Sequence, residues 1–160
     1  MVVLCRVDER LLHGQVAVTW VSQVQPDSIL IADDEVMKNE MSRMALKMVK
    51  PTGVNMAIRS VEDGAGVLND PRAEKLRIFV VVRTLRDAVR LCEMTDTITK
   101  INVGGIKKKE GARLVAASVY LNDEDLANLQ RLVDLGKEVE FRMVPSESGK
   151  KAEQILSEYK

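Results

Sequence analysis

The sequence VVLCRVDERLLHGQVAVTWVSQV occupies residues 2–24, and its pattern recurs along the rest of the chain. Val2–Val7 is apolar apart from Arg6, which predicts a buried strand. Residues 15–24 contain neither glycine nor proline and predict a helix. The intervening segment therefore joins a buried strand to a helix, and His13 lies within it.

His13 is the one histidine of the chain, and it stands next to Gly14 and near Arg6 and Arg10. The first backbone N–H groups of a helix have no partner within the helix and attract anions. Imidazole is largely uncharged at neutral pH and can act as a nucleophile. This setting predicts a residue that accepts and passes on a phosphoryl group. On these features alone, however, a histidine that only caps or packs is the more common case.

Strand and helix patterns alternate along the remaining sequence. Further strands are predicted at residues 28–32, 54–58, 76–82, 101–103, 112–121 and 138–144. Further helices are predicted at residues 36–49, after Ser60, at 84–92, at 122–135 and at 149–159. The alternation predicts an α/β fold over residues 1–160: a single three-layer domain with a mostly parallel central sheet of six or seven strands and helices on both faces.

Polar residues follow several of the predicted strands. In an open parallel sheet, ligands bind beyond the carboxyl ends of the strands. The residues expected along that edge are His13, Asp33, Asp34, Arg59, Ser60, Arg83, Thr84, Gly104 and Gly105. We therefore place the candidate site at this edge.

The composition narrows the possible functions. Acidic and basic residues balance at 24 each, so no overall field favours nucleic acid or membrane. Aromatic residues make up only 3% of the chain, which argues against base-stacking surfaces. No apolar stretch is long enough to span a bilayer, and Arg6 and Asp8 interrupt the N-terminal apolar run, which argues against a signal peptide. We expect a soluble protein whose membrane link comes through a partner.

Metal and nucleotide sites find little support in the sequence. One histidine with two distant cysteines argues against a zinc site, and Cys5 and Cys92 are expected to be buried thiols in a reducing cytosol. Neither glycine-rich nucleotide motif is present, and Ser148-Gly149-Lys150-Lys151 is interpreted as a helix start. Asp33-Asp34 could mimic the acidic magnesium pocket of a receiver domain, but a solvated strand end is the favoured interpretation.

Two further patterns suit ordinary structural roles. The methionines of the 36–49 helix recur at helical spacing and are expected to fill the core, with a partner-binding groove as the lesser alternative: Met37, Met41, Met44 and Met48. The run Lys107-Lys108-Lys109 is expected to be a solvated loop that at most helps to dock an acidic partner.

The segment RVDERLLHGQV at residues 6–16 resembles the active-site motif of the mannose/sorbose-family enzyme IIB components of the bacterial sugar phosphotransferase system. Three other segments are similar to that family: ILIADDEV at 29–36, NVGGI at 102–106 and SVYLNDED at 118–125. The resemblance extends over essentially the whole chain. Leu12 departs from the isoleucine common in the family, and Glu9 is one of several residues found at its position.

The resemblance implies that His13 forms a phosphohistidine intermediate. It would take the group from a IIA protein or domain and give it to a sugar carried by membrane IIC and IID subunits. This is the activity of a protein-N(π)-phosphohistidine–sugar phosphotransferase, although the sequence leaves open which nitrogen of His13 is modified. The resemblance further implies a cytoplasmic protein held at the inner face of the membrane through its partners, with no cofactor, metal or nucleic acid and with a homo-oligomer possible.

Several neighbours of His13 are expected to assist it. Arg10 is expected to neutralise the phosphoryl oxygens, together with the amides of Gly14 and Gln15. Arg6 is expected to pair with Asp8, since residues two apart share one face of a strand. Three roles stay open for Asp8: it holds Arg10, fixes the imidazole tautomer or merely caps the strand end.

A second function also fits the pattern. The chain could be a non-enzymatic regulatory α/β binding module whose histidine is structural or merely sensed. The basic, glycine-flanked setting of His13 favours the phosphocarrier, because a structural histidine does not require such neighbours.

Overall fold

Strands and helices alternate in the computed structural model, which describes residues 1–159. The strands are β1 (Val2–Val7), β2 (Ser28–Ala32), β3 (Asn55–Arg59), β4 (Ile78–Val82), β5 (Lys100–Val103), β6 (Arg113–Ala116), β7 (Val119–Leu121), β8 (Glu138–Phe141) and β9 (Lys150–Lys151). The α-helices are α1 (Gly14–Val24), α2 (Asp34–Met37), α3 (Glu40–Met48), α4 (Val61–Asn69), α5 (Leu85–Met94), α6 (Asp123–Asp134) and α7 (Ala152–Glu158), and a 3-10 helix covers Pro71–Lys75. The predicted α/β class is confirmed.

Seven strands form the central sheet, in the order β3-β2-β4-β1-β5-β8-β9. Strands β1 to β5 and β8 pair in parallel, whereas β9 joins the β8 edge antiparallel. Strand β1 is therefore flanked by β4 and β5. The loop after β1 consequently opens near the middle of the carboxyl edge, where the loops after its neighbours also end.

The sheet is covered on both faces, as its β4 strand illustrates. All five residues of β4 are buried, because alternate side chains enter opposite layers. Val80 and Val82 pack in the cluster that includes residues of α4, α5, α6 and α7. Phe79 and Val81 pack in the cluster formed with α1, α2 and α3. The three-layer prediction is confirmed.

The single helix predicted at residues 36–49 is wrong. The segment divides into α2 and α3, and Asn39 begins the second helix by accepting a hydrogen bond from the Ser42 amide at 3.0 Å. An asparagine side chain competes with the backbone for hydrogen bonds, so it is more favourable at a helix start than in a helix interior.

The methionines of this segment do not fill the core, contrary to the prediction. Met41, Met44 and Met48 are 80%, 58% and 85% exposed, and Met37 is also exposed. The buried residue of α3 is Leu46. Helical spacing identified one face of the helix, but it could not say which face the sheet would cover, because both faces carry apolar side chains.

The strand predicted at residues 112–121 is also wrong. The chain reverses there into an antiparallel hairpin of β6 and β7, and Ser118 adopts a left-handed φ of 61° within the turn. The hairpin joins the rest of the fold through a bridge between Val119 and Ile106. An apolar run alone gives no sign of such a reversal, because the residues on both sides of the turn suit a strand.

The C-terminal elements differ from two predictions. The strand predicted to Val144 ends at Phe141, and the segment containing Lys150 forms the edge strand β9 instead of starting a helix.

Cys5 and Cys92 are free and buried, as predicted. Within residues 1–159, no helix combines the length and the apolar character needed to cross a membrane.

The opposite environments of Leu46 and Met44 predict opposite responses to truncation. Leu46→Ala should lower the free energy of unfolding by about 2 to 3 kcal/mol, because it removes buried methyl groups and leaves a cavity. Met44→Ala on the same helix should change it by less than about 0.5 kcal/mol, because the side chain is exposed. Urea unfolding of both variants provides the measurement, and equal losses would contradict the assignment of the buried face.

Candidate active site around His13

The backbone of the loop that carries His13 is tied to the end of β4 and to the loops after β4 and β5. The Asp8 amide donates to the Val82 carbonyl at 3.0 Å, and the Glu9 amide donates to the Gly105 carbonyl at 2.9 Å. On the other side, Nη1 of Arg83 donates to the Glu9 carbonyl at 3.0 Å. The loops after β1, β4 and β5 are therefore joined at one edge, as predicted.

Leu11 gives the loop its tight bend. Its φ of 57° lies in the left-handed region, and its amide donates to the Asp8 carbonyl at 2.9 Å. A left-handed conformation costs a non-glycine residue about 1 to 2 kcal/mol. The Leu11 side chain is only 2% exposed and packs with Val16 and Trp20 of α1, so burial offsets the strain.

His13 occupies the cap position at the start of α1. Its extended backbone leads into the helix, but its side chain makes no capping hydrogen bond. The ring is 18% exposed, and Nε2 lies 3.3 Å from Oδ2 of Asp8. The Ala17 amide is bonded to the His13 carbonyl, which leaves the amides of Gly14, Gln15 and Val16 as the donors expected at a helix start.

Asp8 is buried and connects three basic side chains. Its Oδ2 accepts from Nη2 of Arg6 at 3.0 Å and also faces His13. Its Oδ1 accepts from the Arg10 amide at 3.0 Å and lies 3.6 Å from Nε of the same residue. The predicted Arg6–Asp8 pair is present, and Asp8 contacts both Arg10 and His13. Its position therefore goes well beyond that of a strand-end cap.

Arg6 lies beneath the site and is only 1% exposed. Its Nη1 donates to Oδ1 of Asn102 at 2.5 Å and to the Arg142 carbonyl at 3.3 Å. Burial lowers the pKa of the Arg6 guanidinium from its ordinary value, and the neighbouring Asp8 carboxylate opposes that shift. The Arg6 guanidinium is therefore sealed from any anion that approaches from solvent.

Arg10 is the accessible cation of the loop, since its side chain is 48% exposed. It lines a cleft of about 420 Å³ together with Gly105, Tyr120 and Met143. The cleft is open to solvent beside the loop, so Arg10 can reach a group that enters there.

The Asp33 and Asp34 carboxylates accept hydrogen bonds from arginines and from backbone amides at helix starts. Asp33 is 2% exposed; its Oδ2 caps α2 by accepting from the Val36 amide at 3.0 Å, and both of its oxygens accept from Arg83. The expectation of a solvated strand end is therefore wrong for Asp33. Asp34 accepts from the Val61 amide and from Arg90. No group of three or more metal-ligating side chains occurs within residues 1–159.

Among the other predicted edge residues, Ser60 and Thr84 act as helix caps, and the lysine run lies on the surface. Ser60 caps α4, and Thr84 caps α5. Lys107, Lys108 and Lys109 are exposed as predicted, although Lys109 pairs with Asp125 at 2.7 Å. Within the described chain, none of these residues forms a hydrogen bond or ion pair with His13.

Sequence reasoning missed Trp20 and gave Asn102 no role. Trp20 is the one tryptophan of the chain; its ring centroid lies 5.1 Å from Cζ of Arg6, and its Nε1 donates to the Met143 carbonyl at 2.9 Å. Asn102 is fully buried and bridges Arg6 to the Arg142 carbonyl. The signal available for both residues was the single arginine in the buried strand β1. A buried guanidinium needs hydrogen-bond acceptors and a suitable surface against its face, and these two residues supply them.

Comparison with known proteins identifies the family. The chain matches the family described as the PTS system sorbose subfamily IIB component over residues 2–160. The protein belongs to this family. It is therefore the IIB component of a sugar phosphotransferase system and a phosphotransferase. The non-enzymatic regulatory alternative is not favoured.

Individual relatives show how far the similarity of this IIB component extends. A probable phosphotransferase enzyme IIB component of Streptococcus pyogenes is 37% identical, covering 98% of this chain and 100% of that protein. The crystal structure of the IIBSor domain of the sorbose permease from Klebsiella pneumoniae matches with a TM-score of 0.93 at 25% identity, covering 100% of this chain and 98% of that one. The mannose-specific EIIAB component of Escherichia coli is 30% identical over 96% of this chain, which spans 48% of that protein.

Gly104 is required by the packing of this IIB site. A β-carbon at Gly104 would overlap the Arg6 guanidinium, so Gly104→Ala should displace Arg6 and lower the free energy of unfolding by about 1 to 3 kcal/mol. Gly66→Ala is the matched control, because Gly66 lies in α4 with nothing within 4 Å of the position that an alanine methyl would occupy, and this variant should gain up to about 1 kcal/mol. Thermal or urea unfolding distinguishes the two, and an unaffected Gly104→Ala variant would contradict the packing.

Proposed function

We propose that His13 carries the phosphoryl group and that its Nδ1 is the nitrogen that accepts it. One observation carries the proposal: Nε2 of His13 faces the buried Asp8 carboxylate at 3.3 Å, and within residues 1–159 no group hydrogen-bonds to Nδ1. A carboxylate beside Nε2 favours the tautomer with its proton on that nitrogen. The lone pair then lies on Nδ1, ready to attack phosphorus.

The proposed transfer occurs in two steps. In the first, the Nδ1 lone pair forms a bond to phosphorus while the P–N bond of the donor phosphohistidine breaks and its electron pair returns to the donor nitrogen. In the second, a sugar hydroxyl oxygen bonds to phosphorus and the Nδ1–P bond breaks, with its pair returning to Nδ1. The hydroxyl proton is released to water. Phosphorylated His13 keeps its proton on Nε2, so the ring is cationic and the Asp8 carboxylate stabilises it.

Arg10 and the start of α1 are the proposed partners of the phosphoryl oxygens. Transfer between nitrogen and oxygen depends on positioning and neutralising these oxygens. Arg10 brings a half-exposed cation, and the amides of Gly14 and Gln15 bring unpaired donors with the positive end of the helix dipole. The space around the Gly14 α-carbon is open, so the group can approach these amides closely.

The proposed partners follow from the family and its relatives. We propose that a IIA protein or domain donates the group, as the naming of the Escherichia coli relative as EIIAB suggests, with its IIB-like part covering about half of that chain. We further propose that the acceptor is a sugar carried by membrane IIC and IID subunits. The protein would then work in the cytoplasm at the inner face of the membrane, held there by these partners.

Phosphorus and nitrogen-15 NMR test the modified atom. Protein charged by phosphorylated IIA should show one phosphohistidine, modified at Nδ1 of His13. His13→Ala should take no label, and its free energy of unfolding should change by less than about 1 kcal/mol, because Asp8 keeps its bonds to Arg6 and to the Arg10 amide. Acid-labile, alkali-stable label remaining on His13→Ala, or a signal from Nε2 phosphorylation, would refute the proposal.

Arg10 should contribute to rate much more than to stability. Arg10→Ala should slow transfer about 10- to 100-fold, because an exposed cation that neutralises the transferred group is removed. Its free energy of unfolding should change by less than about 0.5 kcal/mol, since the half-exposed side chain lies 3.6 Å from Asp8, which keeps its bonds to Arg6 and to the backbone amide of residue 10. Arg131→Ala, which removes an exposed arginine paired with Glu93 between α6 and α5, is the control and should transfer normally. Equal losses of rate and stability in Arg10→Ala would contradict this role.

A further inference from the structure

Trp20 lies on the helix that begins at His13 and covers the buried arginine of the neighbouring strand. The Trp20 side chain is 4% exposed, and Cζ of Arg6 lies 5.1 Å from its ring centroid. A guanidinium at this distance from an indole face makes a favourable cation–π contact. The indole is itself held, because its Nε1 donates to the Met143 carbonyl at 2.9 Å.

The Arg6 guanidinium is enclosed on its other sides. Nη1 is bonded to Asn102 and to the Arg142 carbonyl, and the absence of a side chain at Gly104 leaves the room that the guanidinium occupies. Nε of Arg6 is buried and has no hydrogen-bond partner within residues 1–159. A group with an unbonded N–H is less firmly fixed by hydrogen bonds, so the indole face contributes a restraint that the hydrogen bonds do not.

The orientation of Asp8 depends on this guanidinium. The same oxygen, Oδ2, accepts from Nη2 of Arg6 at 3.0 Å and lies 3.3 Å from Nε2 of His13. A shift of the guanidinium would therefore move or rotate the oxygen that faces the imidazole. Oδ1 is bonded to the Arg10 amide, so the carboxylate has little freedom to compensate.

We infer that Trp20 is a positioning residue: its indole face fixes Arg6, Arg6 fixes Asp8, and Asp8 sets the tautomer and orientation of His13. Trp20 acts through Arg6 and Asp8, since its one indole N–H is donated to the Met143 carbonyl. The inference rests on the proposed role of His13, and it explains why Nδ1 and not Nε2 accepts the phosphoryl group. Loss of the indole frees the guanidinium, and the carboxylate then no longer holds the proton on Nε2.

The contact also explains why an arginine is buried beneath the site. A buried carboxylate is unfavourable unless a cation and hydrogen bonds accompany it. A planar guanidinium can bond Asp8 and Asn102 along its edge while its face stacks on an aromatic ring, which a lysine ammonium cannot do. The result is a fixed positive charge that neutralises Asp8 from below, while Arg10 remains the accessible cation at the surface.

Trp20→Leu tests the inference, with Val21→Ala as its control. Val21 is the next residue of α1 and is buried in the same cluster, so its truncation weakens the core beside Trp20 while leaving the indole over Arg6. The first measurement is the nitrogen-15 NMR spectrum of the unphosphorylated His13 ring at a pH where it is neutral. The second is the rate of phosphoryl acceptance from phosphorylated IIA, resolved into kcat and KM.

The expected result is specific to Trp20. Trp20→Leu should turn the Nε2–H tautomer of the wild-type ring into a mixture and should lower kcat about 10-fold or more, with KM within about 2-fold, because attack depends on the placement of the imidazole. Val21→Ala should keep the wild-type tautomer and a kcat within about 2-fold of wild type. A Trp20→Leu variant whose tautomer and kcat match those of Val21→Ala would overturn the inference.

Fluorinated tryptophans provide a second test that preserves the fold. Because the chain has one tryptophan, incorporation of mono-, di- and trifluorotryptophan alters position 20 alone. Fluorine withdraws electron density from the ring face and weakens a cation–π contact stepwise. The Nε2–H fraction and kcat should fall progressively along the series; a flat series in folded protein would overturn the inference. The NMR measurement needs no phosphorylation, so failure of wild-type protein to be charged at His13 would instead refute the proposed function.

Discussion

The site depends on one buried carboxylate. Asp8 directly follows β1, and its two oxygens join Arg6 beneath the sheet edge, Arg10 at the surface and His13 at the start of α1. A carboxylate removed from water must be compensated by bonds of this kind, so the surrounding groups are fixed with it. The imidazole is thereby held at the helix start with one nitrogen occupied and the other directed away from the carboxylate.

Backbone strain and side-chain burial act in opposite directions on the loop that carries Asp8 and His13. The loop after β1 bends through a left-handed Leu11, which the residue would not adopt by itself. Burial of its side chain among residues of α1 holds the bend, while Arg83 and Gly105 fix the loop from either side. A parallel sheet supplies such restraint naturally, because the loops after adjacent strands meet at one edge. The histidine can therefore stay partly open to solvent while its orientation is fixed.

The sequence allowed much of this arrangement to be predicted, and its failures have physical causes. The strand β1, the helix α1 and the pair of Arg6 with Asp8 followed from apolar periodicity and from the alternation of faces along a strand. The hairpin of β6 and β7 was missed because both of its arms suit a single strand. The outward face of α3 was misjudged because periodicity distinguishes two faces but not which one the sheet covers.

The sequence by itself determined the layered α/β class, the strand-loop-helix setting of His13 and the basic neighbours that suit phosphoryl chemistry, because these depend on residues close together in the chain. The tertiary structure decided that Arg6 would be sealed and Arg10 accessible, and it brought Trp20 and Asn102 against the buried arginine. Such contacts join residues on different elements, and no local pattern specifies them. They arise only when the strand order and the packing of α1 on the sheet bring those side chains together.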